Sequence, residues 1–169
     1  MGGVMINFNN KLPKTRSPKQ IGDFGEGLVT YTLIRKEFEV AYVDHVGADL
    51  IAEKAGKRIA VSVKTRLFRP NSKESRMVAV EFSNIKKLKY FSEQFRMEPV
   101  FAQVICLSDE QIIHLFMLRV EDLEKYMPKI KHGFSIRFGP KKINKIIDNP
   151  NIHYSCWKNE EIGIYDFIQ

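Results

Sequence analysis

The segment that most restricts the fold runs from Gly47 through Ala48-Asp49-Leu50-Ile51-Ala52 to a corner at Ala55-Gly56, and back through Ile59-Ala60-Val61-Ser62-Val63-Lys64-Thr65-Arg66. Both arms are largely apolar and rich in β-branched residues, and the corner offers a glycine where a two-residue turn requires positive φ. The segment therefore reads as a β-hairpin. With Ala55 and Gly56 as turn residues, Asp49 stands opposite Ser62, their Cβ atoms roughly 5 Å apart. Lys64 shares that face because side chains on a strand repeat with period two. A carboxylate and a lysine on an apolar hairpin are either a pair snorkelling at a sheet edge or groups kept there for chemistry.

The residues in front of the hairpin predict a helix. Ser17-Pro18-Lys19-Gln20 combines a capping serine, proline at the first helical position and glutamine three residues after the cap, so a helix is expected from Pro18 to about Lys36. Ile21, Phe24, Leu28 and Thr32 form its expected buried stripe, and Val29 and Leu33 widen that stripe toward the side carrying Glu26. Glu26 thus falls at the border of the buried face. Gly22, Gly25 and Gly27 each lower helix propensity by about 1 kcal/mol, which close approach of the helix to a sheet would explain. They do not make a dinucleotide loop, since no strand precedes them and the spacing differs.

Over roughly residues 17 to 105 the chain resembles the PD-(D/E)XK superfamily of nucleases, whose restriction-endonuclease-like fold also includes Holliday-junction resolvases. The resemblance rests on Gly25-Glu26 in the first helix, Gly47-Ala48-Asp49 opening one strand, and Ser62-Val63-Lys64-Thr65-Arg66 closing the next. It implies an α/β fold with a mixed central β-sheet flanked by helices, in the order helix, three strands, helix, strand. It also implies that Asp49 and Glu26 help hold a divalent metal, Mg²⁺ or Mn²⁺, and that Lys64 positions and activates the attacking water. The expected catalytic set is Asp49, Lys64, Glu26 and Ser62.

Ser62 is where the chain departs from the pattern, because the family usually has Glu, Asp or Gln there. A hydroxyl is neutral and cannot supply the charge that draws a hard cation out of water. Mg²⁺ can be held by one or two carboxylates with waters and substrate phosphate, so Asp49, Glu26 and the backbone carbonyl of Val63 make a sufficient set. Glu53, Glu74 and Glu81 are the nearest substitutes for the missing carboxylate, with Glu53 facing Arg58 in the same hairpin register. Asp44 and His45 precede Gly47 and could add ligands, although an Asp-His pair before a strand is more often turn chemistry. Two functions follow from this set: a divalent-metal-dependent nuclease hydrolysing DNA phosphodiester bonds, and a non-catalytic nucleic-acid-binding module on the same fold. A third reading is an interaction protein that uses its aromatic tail.

Charge points to a polyanionic partner. The net charge is +7, yet the positive residues gather in segments 11–19, 57–76 and 119–145, which together hold +15 and leave −8 on the remainder. Arg66, Arg69, Lys73 and Arg76 directly follow Lys64 and would place a nucleic-acid backbone, DNA in the favoured reading, over Asp49 and Lys64. Cys106 and Cys156 have no metal-ligand spacing. No apolar run approaches the ~20 residues of a membrane span, and the N-terminus lacks a signal-peptide core, so a cytoplasmic protein without membrane contact is expected. A homodimer is left open.

The remaining segments divide into a flexible basic arm at 1–16, a nuclease-like core at 17–118 and a C-terminal extension at 119–169 packed on the core. Within them, strands are expected at Glu39 to Asp44, Val78 to Phe82, Pro99 to Leu107 and Ile112 to Leu118. Lys64 to Met77 reads as a polar loop. A second helix is expected from a cap at Ser83 or Asn84 through about Phe95, burying Ile85, Leu88, Phe91 and Phe95. Glu121 to Tyr126 reads as a short helix, Gly133 to Phe138 as a strand or extended edge and Lys141 to Ile147 as a basic helical turn. The aromatic segment from His153 through Trp157 to Phe167 is read as core packing or an interface, with base stacking by Tyr154 and Trp157 the alternative.

Overall fold

The computed structural model describes residues 17–68, 77–107, 112–137 and 147–158. Helix α1 (Ser17–Ile34) leads into strands β1 (Glu39–His45), β2 (Ala48–Lys54) and β3 (Lys57–Phe68). After β4 (Met77–Glu81) come helix α2 (Phe82–Gln94) and strands β5 (Glu98–Leu107) and β6 (Ile112–Arg119). A 3₁₀ turn at Val120–Asp122 and the short α3 (Leu123–Tyr126) precede β7 (Lys129–Ile130), β8 (Gly133–Arg137) and β9 (His153–Lys158). The expected basic turn at 141–147 lies almost wholly outside the described residues.

The main sheet has six strands in the order β1-β2-β3-β5-β6-β9, and β4-β8-β7 form a second sheet. The β3–β5 pair is parallel and every other ladder is antiparallel, so the main sheet is mixed, as expected. Parallel neighbours need a crossover, and β4 with α2 supplies it. The hairpin register is the one read from the sequence: Leu50 pairs with Val61, Glu53 with Arg58 and Lys54 with Lys57. Ala55 and Gly56 both have positive φ, at 50° and 76°.

Alternation along the strands divides the core into two layers. On one face Val29 and Leu33 of α1 pack with Leu50, Val61, Val63, Val104 and Leu115. On the other, Leu88 and Phe91 of α2 pack with Ala60, Phe101, Ile105 and Phe116, together with Val78, Val80 and Phe134 of the second sheet. Full burial of side chains such as Leu50 and Val61 stabilises the fold by about 1.5–3 kcal/mol each. The α3 region is tied to β6 through the buried Asp122 carboxylate, which accepts from Arg119 Nε at 3.0 Å and Lys125 Nζ at 2.6 Å.

Several expectations need correction. Strand β3 continues to Phe68 instead of giving way to a loop at Lys64, because its parallel ladder with β5 runs on to the Phe68–Leu107 pair. The buried stripe of α1 is Gly25, Val29, Thr32 and Leu33, while Phe24 is exposed. The helix turns its glycine to the sheet and so rotates Phe24 outward. On α2, Ser92 is buried and Phe95 is exposed, and Glu81 occupies the cap position. The described part of the aromatic segment, given no secondary structure from the sequence, is an edge strand paired with β6 from Met117–His153 to Ile112–Lys158, and residues 159–167 lie outside the described residues. Among the described residues, no helix is long and apolar enough to cross a membrane.

Two glycines set the distances around the hairpin. A Cβ on Gly25 would collide with Thr65 Oγ1 on β3, so only glycine lets α1 lie this close to the strand. Gly47 has φ +133°, and a Cβ there would lie 2.6 Å from the Lys87 carbonyl oxygen of α2. Gly25→Ala is therefore expected to be destabilising: overpacking of about 1–3 kcal/mol outweighs the roughly 1 kcal/mol gained in helix propensity. Urea unfolding checks this, with Thr65→Ala in the same background expected to recover part of the loss. A raised midpoint for Gly25→Ala would show that the helix does not sit against Thr65.

Candidate active site

Asp49 lies one residue outside the last paired position of β2, where that strand leaves β3. The Val63 amide, which has no ladder partner on β2, donates instead to Asp49 Oδ2 at 2.6 Å. Ser62 Oγ donates to the same oxygen at 3.3 Å. In an extended strand the N–H and C=O of one residue point to the same edge, so the Val63 carbonyl also faces the gap that Asp49 borders. Lys64 Nζ stands 3.9 Å from Asp49 Oδ2, with both side chains partly exposed. Asp49, Ser62, Val63 and Lys64, singled out from the sequence, are thus gathered at one point.

Glu26 reaches this neighbourhood from α1, one residue beyond the glycine seated on Thr65. Partial burial raises its pKa above the ordinary glutamate value, and the negative charges of Asp49 and then Asp23 push it further up. Lys19 and Lys64 act in the opposite direction without cancelling the rise. Two carboxylates that disfavour each other's charge, beside one lysine, form a site whose electrostatics improve when a cation enters.

The donors suit a hard divalent ion. Asp49, Glu26 and the Val63 carbonyl offer oxygen only, and Mg²⁺ characteristically takes one or two carboxylates and fills its remaining positions with water and phosphate. Among the described residues no three His, Cys, Asp or Glu side chains cluster as a closed metal cage. Of the substitutes considered for a missing carboxylate, the two described ones are engaged elsewhere. Glu53 pairs with Arg58 near the hairpin corner, Glu81 accepts from Ser83 at the start of α2, and Glu74 lies outside the described residues. The His45 ring packs on Phe91, with centroids 4.8 Å apart.

Of the basic residues expected to contact phosphate, Arg66 is exposed on β3 two residues beyond Lys64, which places both on one face. Arg69, Lys73 and Arg76 lie outside the described residues. A further residue, Gln103, went unremarked in the sequence. It is buried on β5 opposite Lys64, and its Nε2 donates to the Lys64 carbonyl at 2.8 Å and to the Val104 carbonyl at 3.0 Å. Its signal was a lone amide inside the apolar run Val100–Leu107.

Two outcomes follow. Glu26→Gln is expected to stabilise the metal-free protein at neutral pH. A glutamate whose pKa is raised on folding loses stability as pH climbs from the unfolded value, near 4.5, through the higher folded value. The advantage of glutamine should therefore be full at pH 7 and vanish toward pH 4, as read by thermal melts across that range; a constant difference would remove the electrostatic account. Gln103→Leu removes the side-chain donor to the Lys64 and Val104 carbonyls and should lower stability by about 1 kcal/mol in urea titrations. An unchanged midpoint would mean that this amide does not hold the strand.

No family model and no curated protein sequence matches the chain. Among solved structures, the Holliday junction resolvase of the archaeal hyperthermophile Archaeoglobus fulgidus aligns with a TM-score of 0.52 and 16% identity, over 69% of this chain and 83% of that one. A bacterial homing endonuclease aligns with a TM-score of 0.46 and 12% identity, over 76% of this chain and 87% of that one. At 16% identity the likeness to the resolvase is one of architecture. With its mixed sheet and flanking helices, the chain has the restriction-endonuclease-like fold, the fold of the PD-(D/E)XK nucleases.

Proposed function

We propose that this protein is a divalent-metal-dependent nuclease that hydrolyses DNA phosphodiester bonds. The observation that carries the reading is the convergence of Asp49, the Val63 backbone and Lys64 where β2 parts from β3, with Glu26 electrostatically coupled to Asp49. Asp49, Glu26 and the Val63 carbonyl would hold Mg²⁺ or Mn²⁺. When bound, such an ion supplies Lewis acidity, offsetting charge on phosphoryl oxygens and making water easier to deprotonate.

The chain's own groups account for the other requirements. Lys64, with its ammonium beside Asp49 on β3, would orient the attacking water and meet the charge that grows on the phosphoryl oxygens. The water oxygen bonds to phosphorus, one ester P–O bond breaks, and the departing oxygen takes up a proton. Asp49 is itself fixed by the Val63 amide, so its second oxygen is presented in one direction without reorganisation. Exposed Arg66, with Arg69, Lys73 and Arg76, would seat the DNA backbone over this point.

Ser62 favours a second reading, a nucleic-acid-binding module without catalysis. Its buried hydroxyl is neutral and already donates to Asp49, so the site has one carboxylate fewer than the family pattern.

One set of measurements separates the two. Mn²⁺ is titrated calorimetrically into wild type and Asp49→Ala at neutral pH, and cleavage is followed on four-way-junction, duplex and single-stranded DNA. The branched substrate is included because one structural neighbour is a Holliday junction resolvase. The nuclease reading expects metal binding that Asp49→Ala abolishes, and cleavage that falls about 10²-fold or more in Lys64→Ala. Intact substrates together with DNA binding that weakens steeply with salt would establish the module instead.

A further inference from the structure

The last turns of α1 and the edge strand β9 enclose a groove of about 480 Å³, away from Asp49 and Lys64. Tyr31, Arg35 and Lys36 line it from the helix, and His153, Ser155 and Trp157 from the strand. Those three strand residues alternate with Tyr154 and Cys156 and so share one face. Two fixed cations face the groove, and no carboxylate is among its lining residues. The nearest acidic group along the chain, Glu37, is engaged by Lys54 Nζ at 2.9 Å.

The groove is organised for contact with a ligand. Arg35 Nη1 donates to the Tyr31 hydroxyl at 3.3 Å, which ties the guanidinium to an aromatic ring. Trp157 packs against the α1-side core and is only partly buried there, so part of its side chain remains accessible in the groove. Lys36 bears electrostatically on His153 across the groove. Basic residues at a helix C-terminus also offset the negative end of the helix. That role requires neither the two aromatic rings nor the absence of carboxylates.

We propose that this groove is a second nucleic-acid site that takes a single strand, with Arg35 and Lys36 on phosphates and Trp157 stacking on a base. The pairing of cations with the exposed Tyr31 and partly exposed Trp157 matches unpaired nucleotides, whose bases are free to stack, and not a duplex, whose bases are already stacked. Glu26 on α1 and Arg35 in the turn that directly follows it lie nine residues apart, or about 14 Å at helical rise. One unpaired strand of a branched or frayed substrate therefore reaches both. The inference shares with the proposed function the premise of a nucleic-acid ligand, but not the metal site.

Trp157 is the single tryptophan of the chain, so intrinsic fluorescence reports on the groove directly. The full chain is titrated with a 12-nucleotide oligothymidylate in the presence of EDTA. Saturable quenching is expected, weakening as salt rises, with affinity about tenfold lower in Arg35→Ala/Lys36→Ala. In parallel, the anisotropy of a labelled oligonucleotide should show Trp157→Phe retaining most of the affinity and Trp157→Ala losing about tenfold. Absent quenching, quenching indifferent to the Arg35/Lys36 pair, or tighter binding of a blunt duplex of equal length would overturn the proposal. Because EDTA removes metal, the outcome is independent of cleavage. A protein that cleaves nothing but quenches in this way keeps the groove and loses the nuclease, and the converse result does the reverse.

Discussion

The hydrogen bond from the Val63 amide to Asp49 Oδ2 joins fold and site. Two neighbouring strands that part must leave backbone groups unpaired at the point of parting, and a buried unpaired amide is destabilising by about 1–3 kcal/mol. Here a side-chain carboxylate of the departing strand takes the place of a ladder carbonyl. The exchange opens a gap in the sheet and sets an anionic oxygen at its edge. Lys64 and the Val63 carbonyl fall beside it because they adjoin the residue whose amide was freed. Without this bond, opening the gap would be penalised twice, through a lost donor partner and through a carboxylate held near the core.

The helix α1 completes the arrangement from the opposite direction. Its glycine at position 25 removes the one atom that would keep it off Thr65, and the next residue, Glu26, is carried toward Asp49. The raised pKa of Glu26 is the electrostatic mark of that approach. A protein gains nothing in stability from bringing two carboxylates into mutual repulsion; such spending of stability is characteristic of functional sites. The same close seat rotates the helix and turns Phe24 out to solvent.

Strand β9 adds a further level of organisation. By pairing with β6 it extends the sheet on the side distant from β1 and places His153, Ser155 and Trp157 against the end of α1. One helix thereby borders two different surfaces, the site that Glu26 shares with Asp49 and a basic, aromatic groove at its end.

Local rules were sufficient for the hairpin. Apolar alternation, the Ala55-Gly56 corner and period-two geometry set its register, and with it the juxtaposition of Asp49, Ser62 and Lys64, because these contacts span few residues and depend on backbone geometry alone. The caps and apolar spacing likewise marked α1, α2 and most strands to within a few residues. Long-range pairing decided the rest. Strand β3 extends to Phe68 only because β5 lies alongside it, β4 leaves the main sheet to pair with β8, and β9 becomes a strand only at the edge that β6 exposes. Gln103 acquires its role by facing Lys64 across a parallel ladder, 39 residues away. Ladder hydrogen bonds and close approach between distant segments leave little trace in local composition, so the sequence by itself determined the chemistry of the site, whereas the tertiary structure decided what holds that site in place and what borders it.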